Sequence, residues 1–230
     1  MQYQALVEDW GRESLVFFRE LPGCFFSLPV STPVEDVAPA VINKHLEWLG
    51  ASALTRIHQP RQVQQTDVRI GERLVASADH GPCFAVDHLP LEEEEVEYAL
   101  RVAAQLRIEL LLAYRQIPPA VRAELPADGT WSLEQHFRHL VEEEAWYISR
   151  LQPYPEENPG KKLPQEIPTA FATTAMDAAF TLRNLTDGQR GAVYVHDDEE
   201  WTAPKVVRRM AGHLCEHRPV VERMAKQLSQ

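Results

Sequence analysis

The chain has 230 residues, is 44% hydrophobic and 25% charged, and carries a formal net charge of -11. That length suits one large domain or two small ones. The acidity excludes nucleic acid as an expected partner, because phosphate binding needs clustered Lys and Arg. No apolar run approaches the roughly 20 residues of a membrane span. The opening MQYQALVEDWGRESLVFF has no basic segment ahead of an apolar core, so no signal peptide is expected. Cys24, Cys83 and Cys215 are odd in number and far apart, which fits buried thiols in a reduced cytoplasmic protein.

Residues 1–90 read as strands around one helix. YQALVED alternates apolar and polar residues, ESLVFF follows the Trp10-Gly11 turn signal, and CFFSLPV follows Pro22-Gly23. The stretch STPVEDVAPAVINKHLEWLG predicts a helix. Thr32 and Glu35 have capping-box spacing, Pro33 suits the first helical position, and Gly50 is a stop. Val34, Val37, Val41, Leu46 and Leu49 form its apolar face. TDVRIGERLVAS and GPCFAVDHLPL predict two further strands, with a polar loop over 58–66. The expected arrangement is a small antiparallel sheet with one helix.

At Glu92 the period changes. Four amphipathic segments follow: 92–119, ended by Pro118-Pro119; 131–153, opened by a Ser132–Gln135 capping box; 167–188, ending near Asp187-Gly188; and 201–228, capped by Thr202. Together they predict an up-down four-helix bundle. The fold class is therefore α+β, with a domain over 1–90 and a second over 91–230. The Pro-rich loop 152–166 is a lid or a crossover. No repeat recurs at any fixed period.

The last helix holds His213-Leu214-Cys215-Glu216-His217. Val206, Met210, His213, His217, Val221 and Met224 share one seam, since a four-residue step rotates only about 40°. Two imidazoles on a core face must find hydrogen bonds or a metal. Neutral imidazole suits zinc or nickel. The alternative is a pair of core histidines bonded to carboxylates such as Glu142–Glu144. On the second bundle helix His136 and His139 both compete for the role of third ligand. The seam of Leu133, Phe137, Leu140, Tyr147 and Leu151 favours His136. H-x-x-E-H is also a metalloprotease pattern, but that chemistry needs a further ligand well downstream, and only 13 residues follow His217. Glu216 reads as a solvated charge. Cys215 lies roughly 140–160° from the seam and reads as a packing residue or exposed thiol.

Residues 92–228 resemble the DinB-like (DinB/YfiT-like) superfamily. The resemblance rests on Trp131-Ser132, His139-Leu140 and Glu144 in one helix, and on Trp201-Thr202, Val207-Arg208-Arg209, His213 and His217 in the other. It implies a three-histidine site of His139, His213 and His217. It implies a divalent metal, and thiol-dependent transfer, isomerisation or hydrolysis as the reaction. Residues 1–50, extending towards 90, resemble the HicB-like antitoxin domain through YQALVED and LVFFRELPGCFFSLPVSTPVEDVAPAVINKHLEWL. Pro-Val-Ser-Thr stands where that family has Gly-Asp-Thr before the helix, and no basic DNA-binding segment follows. The module is therefore read as serving folding, dimerisation or ligand contact, with Cys24 buried behind a turn.

The expected function is a metal-dependent transferase or hydrolase. Its partners would be a small-molecule substrate, a low-molecular-weight thiol and a second copy of the chain. The alternative is a non-catalytic sensing protein that docks partners through its first half. No Ser-His-Asp constellation and no Gly-rich phosphate loop is evident.

Overall fold

The computed structural model describes residues 2–54, 67–77, 80–126 and 130–228. The fold is α+β: a four-stranded mixed sheet with one helix, followed by four main helices packed together. β1 (Gln2–Asp9), β2 (Glu13–Phe17) and β3 (Phe26–Pro29) form an antiparallel meander. α1 (Val34–Ala51) then carries the chain back across the sheet, and β4 (Asp67–Val75) joins the far edge beside β1. The sheet is thus mixed, not purely antiparallel, because β1 and β4 pair in parallel. Parallel pairing needs a long crossover between the strands, and α1 lies in that connection. The loop expected over 58–66 lies outside the described residues.

Alternation along β1 sends its two faces to different neighbours. Tyr3, Ala5 and Val7 share a core with Val34, Ala38, Ile42 and Leu46 of α1. Leu6 joins Phe17 and Phe84 on the other face. Glu8, one pleat beyond Leu6, is fully buried there and meets the last helix of the chain.

The start of α1 departs from the capping box. Pro33 is its N-cap, and no side chain caps it. The Thr32 backbone N–H instead closes a turn onto the Pro29 carbonyl at 2.8 Å. Of the expected apolar face, Val34, Leu46 and Leu49 are buried, whereas Val37 and Val41 are half-buried and Ala38, Ile42 and His45 take the interior positions between them. His45 is 9% exposed, its Nε2 is buried without a partner, and burial pulls its pKa down to about 4 from 6.5. Between those values the unfolded chain takes up a proton that the native state refuses, so stability falls as pH drops through that window. Urea denaturation at pH 7 and pH 4.5 should show wild type losing about 2–3 kcal/mol more than His45→Leu. Equal losses would contradict this.

The expected strand over 81–91 is instead a 3-10 turn, Ala85–His88. The buried Asp87 carboxylate accepts the Phe84 backbone N–H at 3.0 Å, which closes the turn locally. Pro82 and Pro90 offer no N–H to a ladder.

α2 (Glu93–Gln116), α3 (Leu133–Ser149), α4 (Ile167–Arg183) and α6 (Ala203–Leu228) form the helical part. α2 packs on α4 and α6, and α3 packs on the same two helices. Ser132 and Gln135 make the expected reciprocal cap of α3, and Thr202 Oγ1 accepts the Lys205 N–H at 3.3 Å. α4 stops at Asn184, earlier than expected. Thr186 caps a separate short helix, α5 (Asp187–Arg190). A hairpin unforeseen in the sequence, β5 (Tyr194–His196) with β6 (Glu199–Trp201), precedes α6. Its two-residue turn, Asp197-Asp198, takes positive φ at both positions, which matches the twist of a tight hairpin.

Gly212 explains how closely α6 lies on the sheet. A Cβ there would stand 2.8 Å from Phe17 Cε1, so only glycine lets helix and strand approach this far. A contiguous core runs from the sheet through all four main helices. Among the described residues, no helix is long and apolar enough to cross a membrane.

Candidate metal centre

α6 brings His213 and His217 to the side facing α3, because Val206, Met210, Val221 and Met224 bury that seam. α3 supplies His139 from the turn between buried Phe137 and Leu140. The three imidazoles converge, each offering a nitrogen within 4.8 Å of the others. His139 Nε2 and His213 Nε2 are 3.1 Å apart. The His213 and His217 ring centroids are 4.6 Å apart and nearly perpendicular, and those of His139 and His217 are 5.2 Å apart. Nitrogens held about 2.0–2.1 Å from one ion lie a little over 3 Å from each other, so these spacings fit a shared cation with small adjustments.

Electrostatics keep the rings neutral. Burial, then His217 and His139, hold His213 well below its ordinary pKa. Burial, with His139 and His136, takes His217 down to about 4. His139 is lowered by burial and by His136. Neutral imidazole is the ligating form. The Nδ1 of His217 is buried without a hydrogen-bond partner, as is the Nδ1 of neighbouring His136. A buried orphan nitrogen costs free energy in the absence of a ligand. The donor set and its unmet valence therefore fit a divalent ion.

His136, the residue favoured by periodicity, stays outside the group of three. Its ring centroid is 5.6 Å from that of His217, and Trp131 packs on it and on His139. Exposure does not separate the two candidates, since both are half-buried. The packing of α3 on α6 does, because it brings His139 Nε2 to 3.1 Å from His213 Nε2.

Among the described residues, no carboxylate is hydrogen-bonded to the cluster. Glu144 forms a buried ion pair with Arg107 of α2, with Nε to Oε2 at 3.1 Å. Glu143 comes closest, its Oε1 4.0 Å from His139 Nδ1. Burial and the neighbouring Glu142 raise its pKa above the ordinary carboxylate value. Glu216 is exposed and Cys215 half-buried, and neither belongs to the group.

A cleft of about 270 Å³ is walled by Trp10, Trp146, Tyr147 and Trp201 and flanked by Glu143 and Arg209. None of the three histidines lines it, and it meets the cluster through Glu143 and Tyr147. The Tyr147 ring is 6.0 Å from that of His213. The sequence named Glu142–Glu144 as possible partners of the histidines and Arg209 as part of a basic run, but gave neither Glu143 nor Arg209 a place beside the cluster, although each is one helical turn from a cluster histidine. The i, i+4 rule that paired His213 with His217 would have found both. Trp10 carried no such signal, because its approach depends on how the β1–β2 turn sits against α6.

Comparison of the chain with family models, curated proteins and solved structures returns no match.

Proposed function

We propose that the chain is a metal-dependent enzyme, a thiol-dependent transferase or hydrolase, with His139, His213 and His217 holding zinc or nickel. The observation that carries this reading is three neutral imidazoles converging beside an aromatic-walled cleft. A divalent ion bound by three histidines keeps open positions and lowers the pKa of a coordinated water or thiol. Glu143 would accept the proton released in the cleft. Trp10, Trp146 and Trp201 would exclude water and hold an apolar substrate body, and Arg209 would orient an anionic group. The capped Trp131-Ser132 opening and the histidine spacing support assigning the bundle to the DinB-like superfamily. The strand–turn–strand–helix order supports a HicB-like first half that contributes Trp10.

Metal-loaded protein should be assayed against low-molecular-weight thiols paired with electrophilic acceptors, and against ester and amide substrates. Turnover should be abolished by chelation and restored by zinc or nickel, and Glu143→Gln should lower kcat by about 10²–10⁴-fold. Stoichiometric metal with no turnover on any substrate would overturn the enzymatic reading in favour of sensing.

A further inference from the structure

Away from the histidine cluster, Cys83, His88 and Glu200 also come together. The thiol, an imidazole nitrogen and a carboxylate oxygen lie within 4.8 Å of one another. Cys83 precedes the 3-10 turn, His88 ends that turn, and Glu200 lies on β6. His88 Nε2 and Glu200 Oε2 are 3.5 Å apart. That is long for a hydrogen bond, which prefers 2.7–3.2 Å. It matches the separation of two ligands on one tetrahedral ion, about 3.4 Å from bond lengths near 2.1 Å. The trio has one thiolate, one imidazole and one carboxylate, a set suited to a borderline ion.

We propose that Cys83, His88 and Glu200 form a second divalent-cation site, taking zinc or a similar borderline ion, that clips the 81–88 segment to the β5–β6 hairpin. The Cys83 thiol is pushed up to about 11, chiefly by burial and by Asp87. An arriving ion therefore displaces its proton, as metals do when a thiol coordinates them. Thr202, whose hydroxyl is bonded to Cys83, helps to hold the thiolate.

The clip has a structural consequence for the cleft. The buried Lys205 Nζ donates to the Gly81 carbonyl at 2.7 Å, to the Glu200 carbonyl at 2.7 Å and to Glu199 Oε1 at 2.8 Å. Gly81 lies directly against the Arg209 guanidinium; a Cβ on it would fall 1.5 Å from Nη2. Gly81, Glu199 and Arg209 all line the cleft beside the histidine cluster. An ion joining Cys83 and His88 to β6 would therefore fix the wall that positions Arg209.

The test is a cobalt(II) titration of the chelator-stripped full chain, read by near-ultraviolet thiolate-to-cobalt charge transfer. The histidine cluster contains no sulfur ligand, so this band does not report that centre. Wild type, with two sites competing for the ion, should develop the band to saturation by about two equivalents, and His213→Ala by about one. His213→Ala should retain it whether or not the first site binds metal. Cys83→Ser should abolish it. His88→Ala and Glu200→Gln, both at exposed side chains that leave folding intact, should each weaken its midpoint by at least about tenfold. Absence of the band in wild type would overturn the proposal. So would a band that survives Cys83→Ser, which would place the sulfur at Cys24 or Cys215, or one indifferent to both His88→Ala and Glu200→Gln.

Discussion

Arg208→Leu is expected to destabilise the protein by about 3–5 kcal/mol, measured as a lower urea midpoint at unchanged slope. Arg208 is 8% exposed and binds two acids from separate parts of the chain. Its Nη2 lies 2.7 Å from Asp87 Oδ2 in the 3-10 turn, and its Nη1 pairs with Glu8 of β1. Arg209 takes the other Glu8 oxygen at 2.7 Å. Burial alone would lower the Arg208 pKa, but Asp87 and Glu8 more than offset it, so the group stays charged. Glu8 and Asp87 are 0% and 2% exposed, and removing their common partner leaves carboxylates where water cannot solvate them. The expected coupling is testable by a double-mutant cycle. Glu8→Gln should cost clearly less in the Arg208→Leu background than in wild type. Additive losses, or a loss for Arg208→Leu below about 1 kcal/mol, would show that the network does not join α6 to the sheet.

This network was invisible as such in the sequence. Val207-Arg208-Arg209 could be read as a basic motif, but its acids are about 120 and 200 positions upstream. The alternation of YQALVED puts Leu6 and Glu8 on one face, yet periodicity alone treats Glu8 as a solvent-facing residue. Only the approach of α6, permitted by Gly212, makes that second face interior. The helices of the second half were legible because each has a long period and a chemical start or stop: Ser132, Thr202 and Pro118-Pro119. Short elements were less so. The Pro-flanked apolar run at 81–91 resembles a strand until Asp87 folds back on Phe84, and the β5–β6 hairpin is only three residues a side.

At the candidate site, four-residue spacing was enough to pair His213 with His217. Choosing His139 over His136 required helix-packing geometry, which a seam of apolar residues does not resolve when both histidines flank it. The cleft was beyond reach for a related reason. Its walls come from the β1–β2 turn, α3, β6 and α6, which no local pattern links.

The second large effect is expected at His213. Burial and the other two histidines hold its pKa well below the ordinary value, and it sits half-buried between Tyr147 and the other two rings. Its nitrogen is within hydrogen-bonding distance of His139, so His213→Ala removes one donor and releases the restraint on another. Outer-shell changes at metal sites already cost about 10–100-fold in affinity, and loss of a direct ligand should exceed about 100-fold. His136→Ala, outside the group of three, should cost far less. If His136→Ala instead eliminated binding while His139→Ala did not, the ligand assignment on α3 would be reversed.

Metal content in a Cys83→Ser background tests the histidine centre most directly, because the second proposed site is then silent. After equilibration with zinc and exhaustive dialysis, that variant should retain about one ion per chain, and Cys83→Ser/His213→Ala should retain none. Equal metal content in the two variants, whether none or one, would contradict a metal centre built on His139, His213 and His217.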